Sequence, residues 1–301
     1  MTPRFSVIIP TFGRPERLLA CVRSIERLDH ASFEVVVADD GSPEPVEPLV
    51  SRETWAMPVS VVRQSNAGSG AARNAASKAA RGEYLAFTAD DCAPDPSWLT
   101  ELDGAFCRPG MQRALVGGAI RHAIPDDLCA TASHLLIDYL RLVFNSPSPT
   151  FFTPNNLAVH AESFRESGGF DSTIGPTGED REFCARWLAA GRPVGEADRA
   201  AVEHEHPLSV RSFIRQQFSY GVGSARFRRR TPHASAGPVP APLGFYARLV
   251  THPLRVEHGP RAIGLTGLMF LSQVANAAGV IIETVRGEPS RGETSSKDQS
   301  P

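Results

Sequence analysis

Two adjacent carboxylates, Asp90 and Asp91, follow an apolar run of strand length, Tyr84–Phe87. The residues of that run favour strands, and Pro94 and Pro96 stop it from extending further. In an α/β sheet, ligands bind at the carboxyl ends of the strands, where this pair is expected to lie. Hard divalent cations prefer carboxylate oxygens, so the pair indicates a site for a metal ion and the phosphates that it carries. The alternative is a solvated turn, because Asp is also common in turns for local reasons.

Three more polar segments fall at strand ends or helix starts, at residues 10–14, 39–42 and 66–74. Parallel strands place their carboxyl ends along one edge of a sheet, so these segments can converge on the same crevice as the acidic pair. An Asp in such a crevice can accept the N–H of a nucleobase. Arg73, in the first turns of a predicted helix, supplies a fixed positive charge for a diphosphate. Each segment alone is also consistent with an ordinary turn or a surface helix.

The composition is that of an ordinary soluble protein, with 42% hydrophobic and 21% charged residues in a chain of 301. The formal net charge of −2 gives no indication of a nucleic-acid partner. Five scattered cysteines without a CxxC pair argue against a disulfide framework or a zinc site and favour a reducing compartment. The chain enters a predicted strand almost at once, which leaves no room for a signal peptide, so we expect a cytoplasmic location.

Strands and helices alternate along the first part of the chain. We predict strands at residues 5–9, 33–38, 59–62 and 83–87, and helices at 15–28 and 70–80. This order predicts an α/β fold, with a mostly parallel sheet flanked by helices and right-handed crossovers. Further along, the pattern predicts helices at 99–106, 126–144, 162–167, 179–190 and 204–220, and strand-like runs at 114–120 and 151–159.

Six motifs, in a fixed order along the chain, carry a resemblance to a known family: residues 7–12, 35–42, 66–74, 87–91, 168–171 and 178–180. Together they resemble the family 2 glycosyltransferases, which are inverting enzymes of the GT-A (Rossmann-like) fold. The resemblance implies transfer of a sugar from a nucleotide-sugar donor to an acceptor hydroxyl, with Mg²⁺ or Mn²⁺ as cofactor. The product would be a cell-envelope glycan, a glycolipid or a secondary-metabolite glycoside. One departure is Thr88, which stands where many members carry the first Asp of an Asp-x-Asp-Asp motif.

The resemblance also implies roles for single side chains on the donor side. Thr11 and Asp40 would hold the nucleotide base, and Arg73 would help to bind the nucleotide or its diphosphate. Asp90 would bind the ribose side of the donor, and Asp91 would take the metal ion.

On the acceptor side, the resemblance makes Asp180 the catalytic base that takes the proton of the incoming hydroxyl. The alternative for this residue is a carboxylate that only complements the dipole at the start of a helix. We expect Asn155 and Asn156 to line the acceptor side as well, and Glu179 either to bind the acceptor hydroxyl or to support a neighbouring site residue from behind.

Two histidines, His204 and His206, follow the predicted base. Relatives often carry a His in this region, and neutral imidazole can ligate Mn²⁺. Side chains two residues apart on an extended segment point to opposite sides, so we expect at most one of the two to face the metal, and we favour His204. A pair of packing histidines is the alternative.

The composition changes after residue 230. We expect a catalytic domain over 1–230, a Pro- and Ala-rich linker over 231–260, an apolar helix over 261–287 and a disordered tail over 288–301. The apolar helix is long enough to cross a bilayer but carries a narrow polar stripe. The arginines at 226–230, with Arg261 and Arg286, favour a cytoplasmic membrane surface. Packing on the domain or on a partner, such as a second copy of the chain, is the alternative, and both rank ahead of spanning.

Two other functions fit parts of the pattern. A nucleotidyltransferase would want a Gly-rich phosphate loop with a Lys near the N-terminus, whereas the loop after the first predicted strand reads Thr-Phe-Gly-Arg. A non-catalytic sugar-nucleotide-binding or scaffold subunit of an envelope assembly system would not need both Asp91 and Asp180. We therefore rank both functions below glycosyl transfer.

Overall fold

The computed structural model describes residues 2–145, 149–175, 177–230 and 242–287. Its strands are β1 (Phe5–Thr11), β2 (Phe33–Asp39), β3 (Val59–Arg63), β4 (Tyr84–Phe87), β5 (Cys92–Pro94), β6 (Leu115–His122), β7 (Leu157–His160) and β8 (Val194–His204). Its helices are α1 (Pro15–Ile25), α2 (Glu47–Val50), α3 (Ser69–Ala79), α4 (Trp98–Phe106), α5 (Leu128–Phe144), α6 (Ala161–Glu166), α7 (Glu179–Ala189), α8 (Val210–Arg230), α9 (Leu243–Thr251), α10 (Pro253–Val256) and α11 (Gly259–Arg286).

The strands form one eight-stranded sheet in the order β3-β2-β1-β4-β7-β6-β8-β5. Four neighbouring pairs are parallel, namely β1 with β2 and with β4, β2 with β3, and β6 with β8. The other three pairs are antiparallel. The expected α/β sheet is therefore confirmed, and it is mixed: three of its parallel pairs join the first four strands, and the fourth joins β6 to β8.

Helices cover both faces of the sheet. On one face, α1 and α4 contribute Val22, Leu102 and Phe106 to a core with alternate residues of β1. On the other face, α3, α6 and α7 build a second core that includes Phe164 and Trp187. Since β1, β2 and β4 are mutually parallel, their carboxyl ends lie at one edge, and the loops that follow them open there together.

Strand β8 was not predicted from the sequence pattern, although it has eleven residues. Its buried positions include Ala197, Ala200 and Ala201, which are too small to give a strong apolar alternation. It pairs parallel with β6 and antiparallel with β5, where Cys92 lies opposite His204. This pairing places the end of β8 beside the acidic pair that precedes β5.

The predicted linker over 231–260 is wrong for the part that is described. Residues 243–256 form α9 and α10, because Leu249 and Pro253 are buried against neighbouring helices. Residues 231–241 of the linker and the predicted tail at 288–301 lie outside the described residues.

Helix α8 extends ten residues beyond its predicted end at Tyr220. Gly221 does not stop the helix but permits a close crossing with α11, since a Cβ there would lie 2.0 Å from the carbonyl oxygen of Asn276. Gly279 of α11 is equally close to the backbone of Phe218. Near the far end of this crossing, the buried carboxylate of Glu283 receives hydrogen bonds from two arginines of α8. The polar stripe of the apolar helix thus faces its own domain.

Candidate active site

A cavity of about 360 Å³ opens where the parallel strands end. Its walls are formed by Pro10, Thr11, Phe12, Arg14, Asp40, Ser69, Arg73, Ala89, Asp91, Asn155, His204, His206, Gln216 and Tyr220. The loops after β1, β2 and β4 supply one side, and α3, α8 and the end of β8 supply the other. Segments far apart in sequence therefore meet at one place, as their positions at strand ends predicted.

Asp91 lines this cavity, and Asp90 is buried beside it. Asp90 is 1% exposed, and its carboxylate accepts a hydrogen bond of 2.8 Å from the hydroxyl of Thr11. The guanidinium of Arg14 bridges the pair, at 2.6 Å from Asp90 and 3.2 Å from Asp91. The positively charged side chain of Arg14 thus contacts the two carboxylates at which the sequence indicated a metal ion.

Both histidines reach Asp91, so their side chains do not point to opposite sides as the strand spacing suggested. That at most one of them, His204, faces a metal ion stays a prediction. His204 Nε2 lies 3.4 Å from one carboxylate oxygen, and His206 Nδ1 lies 3.3 Å from the other. The two rings are stacked with centroids 5.4 Å apart. The alternation of an extended strand does not apply because β8 ends at His204 and the backbone N–H of Glu205 then bonds to the carbonyl of Asp91.

The two carboxyl groups of this pair differ in pKa. Burial would raise the pKa of Asp91, but hydrogen bonds from His204 and His206 and the charge of Arg14 outweigh it and hold that pKa well below its usual range. Burial raises the pKa of Asp90, and the charge of Arg14 and the Thr11 hydrogen bond oppose it only in part. Asp91 is therefore the fully ionised member, held in a cluster of cationic or neutral nitrogen groups.

The same cluster has donors of the kind that a divalent cation needs. The carboxylate of Asp91, the imidazole of His204 and the thiol of Cys92 place one ligand atom each within 4.8 Å of the others. Carboxylate oxygen and neutral imidazole suit Mg²⁺ or Mn²⁺, the latter in particular, whereas the thiol is a poor ligand here because burial raises its pKa. The residues therefore fit a cation at Asp91 once Arg14, whose side chain is 42% exposed, moves aside.

Asp40 lies at the entrance to α3 and shapes that side of the cavity. One carboxylate oxygen accepts from Gln64 Nε2 at 2.7 Å and from the N–H of Ala67 at 2.9 Å, and the other accepts from the N–H of Gly68 at 2.9 Å. Each carboxylate oxygen has two acceptor sites, so the second oxygen keeps one for an incoming N–H. Asp40 thus fixes the loop before α3 and can still accept a hydrogen bond from the N–H of a nucleobase.

Arg73 projects from the first turns of α3 into the cavity and is 6% exposed. Its guanidinium lies 3.6 Å from the carboxylate of Glu179, and the hydroxyl of Ser69 donates to the same carboxylate at 3.3 Å. Gly70 keeps this contact possible, because a Cβ there would approach the Glu179 side chain to 3.1 Å. Glu179 therefore stands directly behind two residues of the cavity wall.

The second acidic pair, Glu179 and Asp180, begins α7. Burial and the neighbouring charge of Asp180 raise the pKa of Glu179, and Arg73 opposes this only in part. Burial likewise raises the pKa of Asp180, despite a 2.8 Å hydrogen bond from the N–H of Arg181. Asp180 is not part of the cavity wall. Arg73 and Tyr220 do line the cavity, and the charges of Asp180 and Asp91 both act on these two residues.

The two asparagines have different surroundings. Asn155 lines the cavity, and its place on the acceptor side stays a prediction. Asn156 is 1% exposed and turned into the sheet, where it accepts from Trp98 Nε1 at 2.8 Å and donates to the carbonyls of Ala119 and Ala200. All of its amide hydrogen bonds are thus structural, and we no longer assign it to the acceptor side.

Sequence reasoning missed two wall residues, Gln216 and Tyr220. They lie four residues apart on α8 and so share one face of that helix. Gln216 Nε2 lies 3.1 Å from His206 Nε2, and its oxygen accepts from Ser133. Both fall inside the predicted helix at 204–220 as two polar residues at helical spacing, but the sequence pattern does not indicate that this helix packs beside the cavity.

Residues 6–166, more than half of the chain, match the sequence profile of Glycosyl transferase family 2. The chain belongs to this family. The resemblance that the ordered motifs indicated is therefore confirmed. The match covers the loops after β1, β2 and β4 that line the cavity and ends before Glu179.

Curated relatives include the Pre-mycofactocin glycosyltransferase of Mycobacterium tuberculosis, which is 28% identical over 240 residues, or 77% of this chain and 49% of that protein. The Hyaluronan synthase of Pasteurella multocida is 35% identical over 266 residues, or 76% of this chain and 27% of that protein. This family 2 glycosyltransferase thus spans half the length, or less, of these two relatives.

Solved structures share the fold. The mannosyltransferase PcManGT from Pyrobaculum calidifontis, in complex with GDP-Man and Mn²⁺, has a TM-score of 0.68 at 17% identity and covers 96% of this chain and 89% of its own. S. aureus TarS in complex with UDP-GlcNAc has a TM-score of 0.51 at 16% identity, with 94% and 91% covered. The expected GT-A fold, with its mixed sheet and C-terminal helices, is confirmed.

Proposed function

We propose that this family 2 glycosyltransferase is an inverting, metal-dependent enzyme that moves a sugar from a nucleotide-sugar donor to an acceptor hydroxyl. The observation that carries the proposal is the position of two carboxylate pairs beside one cavity of about 360 Å³. Arg73 lines this cavity and is acted on by the negative charges of both pairs. In the first pair, Asp91 is held ionised among nitrogen groups, whereas burial raises the pKa of both members of the second pair. We also propose that residues 1–230 form the catalytic domain.

The donor would lie across the strand ends. Its base would meet Asp40 and the loop that contains Thr11, and its diphosphate would approach Arg73 and the first turn of α3. A helix N-terminus and a buried guanidinium both favour phosphate, because backbone N–H groups and a fixed positive charge point the same way. Asp90, bonded to Thr11, would contact the ribose side.

Asp91 and His204 would hold Mg²⁺ or Mn²⁺, which neutralises the charge that develops on the leaving diphosphate. The bound PcManGT ion is Mn²⁺, which supports this choice without deciding between the two metals. His206, bonded to Gln216 on its other nitrogen, would orient Asp91. Arg14 would leave the acidic pair as the cation arrives and would then face the diphosphate.

Asp180 would take the proton of the acceptor hydroxyl. As the proton moves to its carboxylate, the hydroxyl oxygen forms a bond to the anomeric carbon, and the bond from that carbon to the phosphate oxygen breaks on the opposite face. The electron pair leaves with the nucleoside diphosphate, and the configuration inverts. A raised pKa suits this role, since a more basic carboxylate accepts a proton more readily. Glu179 and Asn155 would hold the acceptor.

The relatives suggest the acceptor class. The names of the two curated relatives refer to a glycosylated mycofactocin precursor and to hyaluronan. We accordingly propose a hydroxyl acceptor in a glycan, glycolipid or secondary-metabolite glycoside, with cell-envelope glycan synthesis as the first candidate pathway. All five cysteines are free, which supports a reducing, cytoplasmic compartment.

A donor screen tests the function. Thermal unfolding of the chain is followed with UDP-, GDP- and dTDP-sugars, each with and without Mn²⁺, because a ligand of the native state raises the unfolding temperature. We expect one nucleotide class to raise it in a metal-dependent way and that donor to be slowly hydrolysed without acceptor. NMR of the transferred sugar then reads the anomeric configuration. Binding without any metal-dependent turnover would favour the non-catalytic alternative, and a retained configuration would exclude inversion.

A further inference from the structure

The outer face of α11 carries a continuous apolar stripe that the catalytic proposal does not use. Ile263, Phe270, Val274, Ile281 and Val285 are between 50% and 82% exposed. Their spacings of seven and four residues place them on one side of the helix. At ~1.5 Å per residue, the stripe runs for about 33 Å. A surface of this extent on a soluble domain marks an interaction site.

The opposite face of α11 is committed to the protein. Ser272 and Glu283 are buried against α8, and Gly279 crosses its backbone. Glu283 accepts from Arg226 at 2.9 Å and from Arg229 at 2.5 Å. Helix α11 has the length and apolar character of a membrane span, but insertion would separate it from α8 and move the Glu283 carboxylate into hydrocarbon without those partners. We therefore expect α11 to stay packed on α8 when another surface covers its outer stripe.

The charges around the stripe indicate what covers it. Residues 242–287 contain four arginines and two glutamates. Both glutamates have arginine partners, Glu257 with Arg261 and Glu283 with the arginines of α8. Arg255, just before α11, and Arg286, at its end, are exposed. The apolar stripe thus lies between two exposed positive charges.

A second copy of the chain fits this arrangement poorly. Antiparallel pairing through the stripe would bring Arg286 of one copy near Arg255 of the other, and parallel pairing would bring the two Arg286 side chains together. Like charges at both ends oppose either dimer. An anionic lipid surface instead attracts both arginines and takes up the apolar residues between its headgroups.

We propose that α11 docks this glycosyltransferase on an anionic membrane surface, lying in the plane of the headgroups with its stripe inserted and α8 behind it. The acyl boundary receives Phe270, Ile281 and their neighbours, and lipid phosphates face Arg255 and Arg286. The inference does not depend on the catalytic roles proposed above, and it concerns lipid as a surface and not as an acceptor.

Vesicle sedimentation of the full chain tests the proposal. Phosphatidylcholine vesicles with about 30% phosphatidylglycerol are compared with pure phosphatidylcholine, at about 0.1 M and about 0.5 M NaCl. We expect binding to the anionic vesicles that high salt weakens at least several-fold and reverses on dilution. Bound protein that only detergent releases would overturn surface docking in favour of a spanning helix. Equal binding to both kinds of vesicle would show that the arginines do not contribute and would overturn docking on an anionic surface.

Two pairs of variants separate the apolar and charged contributions. Phe270→Ser with Ile281→Ser should lower the partition coefficient about tenfold or more. Its control is Val210→Ser with Leu128→Ser, at exposed apolar positions at the starts of α8 and α5. Unchanged binding by the stripe variant would contradict the proposal, and unfolding temperatures show whether each variant is folded.

Arg255→Gln with Arg286→Gln should lower binding to anionic vesicles about tenfold and leave the weak binding to phosphatidylcholine unchanged. Its control is Arg52→Gln with Arg199→Gln, two exposed arginines elsewhere. Analytical ultracentrifugation without lipid completes the test. A dimer that the Phe270→Ser, Ile281→Ser variant abolishes would assign the stripe to a second copy and overturn the proposal.

Discussion

Two acidic pairs, Asp90–Asp91 and Glu179–Asp180, lie beside the same cavity, and their surroundings shift the pKa values of Asp91 and Asp180 in opposite directions. The first pair is bridged by Arg14 and contacted by two imidazoles, which together hold the pKa of Asp91 far down. The second pair has Arg73 at 3.6 Å from Glu179, and burial dominates, so both of its pKa values are raised. A carboxylate kept ionised suits a cation, and a carboxylate kept basic suits a proton. This contrast supports our proposal that Asp91 holds the cation and Asp180 takes the proton.

The largest expected effect comes from the basic pair. Asp180→Asn should lower the transfer rate about 10²- to 10⁴-fold, because the amide cannot take the acceptor proton. The affinity for the nucleotide sugar should stay unchanged, as measured by titration calorimetry with Mn²⁺. Asp198→Asn, an exposed carboxylate away from the cavity, serves as the control. Transfer at the normal rate in Asp180→Asn would show that Asp180 is not the base and would contradict the different roles proposed for the two pairs.

The ionised pair should respond in the complementary way. Asp91→Asn removes the charged ligand, and we expect Mn²⁺ affinity to fall about 10- to 100-fold, read by the paramagnetic resonance signal of free Mn²⁺. Donor binding should weaken with it. Asp95→Asn, whose partner is Arg121 at the surface, is the control. Should Asp180→Asn weaken Mn²⁺ binding as much as Asp91→Asn, the two ends would not be distinct.

The pH dependence sharpens the comparison. The proposed base, Asp180, must be deprotonated, and its raised pKa places the acid limb of kcat/KM above pH 3.8, the ordinary value for Asp. Below that limb the rate should fall about tenfold per pH unit. Glu179→Gln removes the neighbouring negative charge, so the limb should move to lower pH. A limb that stays in place in Glu179→Gln would show that the two carboxyl groups do not interact.

The smallest effect concerns Arg14. Arg14→Gln removes a cation that competes for the acidic pair, so Mn²⁺ should bind several-fold more tightly in the absence of nucleotide. Arg23→Gln, which only breaks a surface ion pair with Glu53, should leave it unchanged. Weaker Mn²⁺ binding in Arg14→Gln would mean that Arg14 supports the metal site and does not compete for it.

The part of the cavity that is formed by the loops after β1, β2 and β4 was predictable because its residues follow long apolar strands of the parallel sheet. Apolar runs such as Phe33–Asp39 end at visible polar residues, and parallel topology places those ends together. The part that is formed by β8 and α8 was harder to predict. Strand β8 is built on alanines, and α8 passes through Gly221 where the pattern indicated an end. Long-range packing decided both, and local sequence carries little of that information.

The side-chain details that failed have a common cause. Asn156 was expected at the cavity, but it occupies the interior of the sheet, where Trp98 and two carbonyls needed hydrogen-bond partners. His206 was expected to point away, but the chain leaves strand geometry directly after His204. Sequence spacing identifies which residues are near the site, whereas the end of a strand or the partner of a buried amide decides where they point.

A crystal structure with Mn²⁺ and the nucleotide sugar found by the donor screen tests the central claim most directly. We expect the ion to be coordinated by Asp91 and His204, the diphosphate to lie against Arg73, and the carboxylate of Asp180 to face the anomeric carbon from the side opposite the diphosphate. An ion or a diphosphate bound away from Asp91, or an Asp180 with no path to the anomeric carbon, would contradict the assignment of the two pairs.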